Sequence, residues 1–136
     1  MTLTLIPLLA ALASAGPADI AATLQAAGYA EVREVEYDDG LWEAEVRRAS
    51  GLWGDVAVDP ATGEVFDAQS PRPLIELPAV LAAIESAGYR QVHDIDRDGA
   101  LWDADAYDLD GQRVELRISG YDGRIVTAQP DTDHDD

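Results

Sequence analysis

Apolar and polar residues follow two kinds of pattern along this chain, and the same succession is met twice. Ile20, Leu24 and Ala27 recur at helical spacing, and Gly28 follows where a left-handed residue ends a helix. A second such run covers 78–87; Pro78 suits a first helical turn and Gly88 closes it. After each helix the period drops to two. Trp42, Ala44 and Val46 alternate with Glu43, Glu45 and Arg47, and Trp102, Ala104 and Ala106 alternate with Asp103, Asp105 and Tyr107. This pattern predicts strands at 31–37, 41–48, 52–58 and 64–67, then at 91–97, 101–109, 112–118 and 124–127. Connections this short join antiparallel neighbours. Unpaired charge is expensive to bury, so the Trp-bearing face should pack on the helix and the other face should be wet and acidic.

The two halves are copies. Shifting the chain by sixty positions brings Gly28 onto Gly88, Tyr29 onto Tyr89, Leu41-Trp42 onto Leu101-Trp102 and Ala68-Gln69 onto Ala128-Gln129. Gly51 and Gly63 fall on Gly111 and Gly123 in the same register. The expected fold class is therefore α+β: two tandem units, each one helix on a small antiparallel sheet in the order α-β-β-β-β. The units are expected at 17–69 and 78–129. A proline-bearing linker at 70–77 joins them, and a disordered acidic tail covers 130–136.

The first fifteen residues carry an apolar run from Leu3 to Leu12, then Ala13-Ser14-Ala15. An apolar stretch ending in small residues is what a signal peptidase cuts, and it is too short to span a bilayer. Residues 1–15 are thus expected to be a signal peptide that leaves a periplasmic or secreted chain with no membrane-inserted segment, although no basic residue precedes the run. A buried N-terminal element is the competing reading.

Charge narrows the partners. The 27 acidic residues oppose 9 basic ones, all Arg, for a net charge of -18. Such a surface repels nucleic acid and anionic lipid. Basic proteins and divalent cations fit it better, and acidity that merely keeps the chain soluble is the plainer alternative. With no Cys, disulfides and thiolate metal sites are excluded.

Each unit resembles a PepSY domain. The similarity lies in the helix ending at Gly28-Tyr29, the strand Val32-Arg33-Glu34-Val35-Glu36 and the aromatic-led strand from Leu41 to Val46. Its sharpest point is the turn Val58-Asp59-Pro60-Ala61-Thr62-Gly63-Glu64-Val65. The second copy keeps the glycine of that turn, in Ile118-Ser119-Gly120-Tyr121-Asp122-Gly123, and departs elsewhere. The resemblance implies a module that binds or restrains a partner, with peptidase inhibition the role proposed for the family.

Catalytic chemistry is not expected. His93 stands where the first copy has Arg33, which suggests a solvent-facing strand residue, and His134 lies in the acidic tail. The sequence carries no phosphate loop, zinc helix motif, EF-hand or dinucleotide fingerprint, so no cofactor and no metal centre are expected. Paired carboxylates on a wet face would share one environment, whereas acid–base catalysis needs environments that differ. A partner surface is the better candidate. Trp53 should point outward beside Glu43 and Glu45, and its counterpart Arg113 beside Asp103, Asp105 and Tyr107. Trp53, Tyr107 and Arg113 would then form a shared surface ringed by acids, for a protein or peptide partner such as a peptidase; alternatively, Trp53 covers the joint between the units. An acidic divalent-cation-binding protein is the second functional reading.

Overall fold

A computed structural model describes residues 16–131. The expected signal peptide, His134 and most of the expected tail lie outside the described residues. The chain divides into two compact units, Met1–Val65 and Phe66–Asp136. The order is α1 (Pro17–Ala26), β1 (Glu31–Asp38), β2 (Leu41–Arg47), β3 (Trp53–Val58) and β4 (Val65–Phe66), then α2 (Leu77–Ser86), β5 (Arg90–Asp98), β6 (Leu101–Tyr107), β7 (Arg113–Ser119) and β8 (Ile125–Pro130). Each helix is followed by a four-stranded sheet in sequential order, β1-β2-β3-β4 and β5-β6-β7-β8. The α+β tandem is as the periodicity indicated.

Both helices have proline in the first turn, where its missing N–H leaves no bond unmade. Gly28 and Gly88 follow the helix ends with φ of 110° and 99°, a conformation that favours residues without a Cβ. In the first unit Ile20 and Leu24 pack with Trp42, Ala44, Val46, Val56 and Val58. In the second, Val80 and Ile84 pack with Ala104, Ala106, Val114, Leu116 and Ile118, and Trp102 lies against that core half-buried. The helical stripe is shorter than expected: Ala27 is the exposed C-cap, and Tyr29 reaches the core instead.

The first strand of each unit does not alternate straight through. Val32 and Val35, an odd number of positions apart, both reach the core. An extra residue between Arg33 and Glu36 reconciles this with a pleated strand, and Glu34 takes φ 55° there. The second unit repeats the device with Asp94 at φ 50°.

The outer sheet faces are less wet than the alternation implied. Ala57, Leu101, Arg117 and Ser119 are buried although register places them on that face. Arg117, 9% exposed, is tolerated because its guanidinium reaches Asp103 at 3.1 Å and Asp98 at 3.2 Å. The fourth strands also part company with the expectation of two equal copies: β4 has two residues and β8 has six. Strand β8 runs through Pro130, and the Asp131 N–H donates to the Arg113 carbonyl at 3.0 Å. The first two residues of the expected tail are therefore held to the sheet.

Candidate functional site

The outer face of the first sheet is set by cross-strand register. Arg33 lies opposite Glu45 and Glu45 opposite Asp55; Arg47 lies opposite Trp53, and Glu43 lies between Glu36 and Ala57. Cross-strand partners share a face, so Trp53 has Arg47 opposite it and Glu45 on the diagonal, whereas Glu43 lies on the same face but further along, opposite Ala57. Trp53 is 37% exposed. The Arg33 guanidinium sits over its ring at 3.9 Å from the centroid, and the same side chain pairs through Nε with Glu45 Oε1. Arg47 bonds Glu31 through both Nε and Nη2, at 3.0 and 2.7 Å. A flat indole backed by a cation and bordered by carboxylates can receive an apolar or cationic side chain.

The outer face of the second sheet carries the same positions with different chemistry. Tyr107 lies opposite Arg113, Asp105 opposite both His93 and Glu115, and Asp103 between Asp96 and Arg117. Arg113 contacts Asp131 at 2.8 Å and Asp105 at 3.9 Å. The His93 ring lies 6.2 Å from that of Tyr107. Within this unit the four predicted residues Tyr107, Arg113, Asp103 and Asp105 thus occupy one sheet face. Trp53, Glu43 and Glu45 do the same in the other unit.

Asp103 and Asp105 are both raised from the ordinary Asp value, and burial is the leading cause for each. For Asp103, Arg117 opposes the shift while Asp98 and Asp96 add to it. For Asp105, Asp131 and Asp94 add while His93 and Arg113 oppose. The fully solvated acidic face expected from sequence is corrected at these two positions.

Sequence reasoning missed how many groups gather around Asp105. Ligand atoms of His93, Asp94 and Asp105 all lie within 4.8 Å of one another, and so do those of Asp105, Glu115 and Asp131. His93 Nδ1 is 2.8 Å from the Gln91 carbonyl oxygen. A proton on Nδ1 donates there and leaves the Nε2 lone pair available. The signal for this cluster was the replacement of Arg33 by His93, which removes a fixed cation from the acidic face.

Comparison with known proteins places the fold in a family. The family model described as peptidase propeptide and YPEB domain (PepSY_2) matches residues 2–69 and again 72–129. The chain belongs to that family, as two PepSY units in tandem. No curated protein matches the chain. Among solved structures it is similar to the YpmB protein from Bacillus subtilis, at 20% identity and a TM-score of 0.35, over 83% of this chain and 96% of that one.

Proposed function

We propose that this chain is an exported, non-catalytic PepSY module that holds a basic, extended segment of a partner protein against the outer face of its first unit. The reading rests on Trp53, a large aromatic 37% exposed and stacked by Arg33 on the sheet face that also bears Glu43, Glu45 and Asp55. Aromatic and Arg side chains are the usual anchors of interfaces, and the acid border selects a positively charged partner. The family description, peptidase propeptide, favours a peptidase as that partner. Export is supported by the apolar run that ends in Ala13-Ser14-Ala15, and no helix among the described residues is long and apolar enough to cross a membrane. A binding role is favoured over catalysis because the matching family is described as a peptidase propeptide domain and not as the peptidase.

Titrating the full chain with an Arg-bearing extended peptide tests this. Trp53→Ala should weaken binding by about 2 kcal/mol while the fold is kept. Unchanged binding would place the contact elsewhere. A second reading, divalent-cation binding at Asp105, is favoured by the two overlapping ligand groups there. Calorimetry with calcium and zinc tests it: heat of binding lost in Asp105→Asn supports it, and no heat with either ion removes it.

A further inference from the structure

In the second unit both edges of β7 are paired. Asp108 N–H donates to Gln112 O on the β6 side, whereas Asp131 N–H donates to Arg113 O on the β8 side. Backbone groups alternate sides along a strand, so Arg113, Glu115 and Arg117 address β8, opposite Asp131, Gln129 and Thr127. The same parity holds in the first unit. Arg48 N–H donates to Leu52 O toward β2, and Asp59 N–H donates to Glu64 O toward β4. Trp53, Asp55 and Ala57 therefore direct their N–H and C=O groups away from β2. Yet β4 is only Val65–Phe66. Paired back from the Asp59–Glu64 bond, two residues reach no further than Ala57.

The chain leaves the sheet here for two reasons. Asp67, sixty positions before Thr127, has its backbone groups engaged by one side chain: its N–H donates to the Tyr121 hydroxyl at 3.0 Å, and that hydroxyl donates to its carbonyl at 2.8 Å. Pro71 stands where Asp131 does, and proline has no N–H to offer the last rung. Among the described residues, no strand occupies the β3 edge at Trp53 and Asp55, and both are exposed.

We propose that this edge is a strand-addition site, where an extended segment of the partner pairs antiparallel with β3 as β8 pairs with β7. This deepens the reading above and rests on it for the identity of the partner. The second unit supplies the specificity. Leu116 is opposite Ala128 and Val114 opposite Pro130, so the positions opposite Val56 and Gly54 take small residues. The position opposite Asp55, beside Glu45, takes a basic residue, and the one beside Trp53 an apolar residue. A second copy of this acidic chain is a poorer occupant because like charges would meet.

The probe is the pentapeptide Thr-Ala-Arg-Ala-Leu, which follows 127–131 of the β8 edge with Arg opposite Asp55 and stops short of the positions that Val65 and Phe66 fill, titrated into the full isotope-labelled chain and read by NMR. The control peptide is N-methylated at Arg and Leu, whose N–H groups would bond the Asp55 and Trp53 carbonyls. We expect the Trp53 and Asp55 amides to become protected from exchange on binding, and the control to bind at least about tenfold more weakly. A control that binds equally well overturns strand addition. If Trp53→Ala still abolishes binding in that case, the face reading survives alone. If N-methylation abolishes binding while Trp53→Ala does not affect it, strand addition stands and the face reading falls. Protection of the two amides in the free chain that grows with protein concentration overturns the peptide as occupant in favour of a second copy.

Discussion

Strands β3 and β7 occupy equivalent places in two copies of one unit, and they meet different neighbours. Strand β7 has β6 on one side and the six residues of β8 on the other. Strand β3 has β2 along its length and, among the described residues, the two-residue strand Val65–Phe66 on the far side. The difference arises outside both strands, from a proline at position 71 and a tyrosine hydroxyl that holds Asp67. Unpaired edges are usually blunted by short strands, charge or proline. The first unit instead leaves its edge beside an exposed Trp and one acid.

The outer faces differ in the same direction. In the first unit Arg33 neutralises Glu45 and covers Trp53. In the second, His93 takes the place of Arg33, and acids crowd Asp105. The two copies thus share a core and differ on their outer faces.

The largest expected effect concerns what the units share. Trp42, 9% exposed, lies in a tight core, so Trp42→Ala should lower unfolding free energy by about 3–5 kcal/mol. Trp102→Ala should cost less because Trp102 is only half-buried. Urea unfolding of both variants checks this, and equal losses would contradict the difference in burial. Tyr121→Phe comes next. It strips Asp67 of the partner for its N–H and C=O in a buried setting, at about 1–3 kcal/mol. If stability is unchanged and the Trp53 and Asp55 amides become protected, the hydroxyl alone was keeping β4 short.

Arg33→Ala removes a cation from the Trp53 ring and should cost about 0.5–1 kcal/mol, with a shift of the indole N–H resonance. An unmoved resonance would mean the stacking is absent in solution. The smallest effect is electrostatic. A raised carboxyl keeps its proton in the folded state between the ordinary carboxylate pKa and its own higher value. The folded state then binds more protons than the unfolded one, and stability falls as pH rises through that window. Asp105→Asn cannot ionise, so its urea midpoint should exceed the parent's at pH 7. The gain should vanish below the ordinary carboxylate range; a variant less stable at pH 7 would show that the contacts with Arg113 and His93 outweigh the crowding.

Much of the fold was legible in the sequence, because glycines, tryptophans and the period-two strands repeat in one register. The bulges were not, since Glu34 and Asp94 are ordinary strand-surface residues and only the odd spacing of Val32 and Val35 hinted at an extra residue. The unequal fourth strands were half legible. Pro71 could have been read as the missing rung, but the Tyr121 hydroxyl acts on a residue 54 positions away in sequence. Of the site, the outward direction of Trp53 followed from alternation, whereas the Arg33 stack and the gathering around Asp105 depend on cross-strand register.

Among the described residues, β3 has an open edge where β7 has a closed one. Amide exchange of the free full chain at low concentration compares the two directly. Asp55 and Glu115 are sixty positions apart, sit in matching strands and direct their N–H groups to the same side. The account predicts fast exchange at Asp55 and slow exchange at Glu115. Equal protection of the two amides would contradict it.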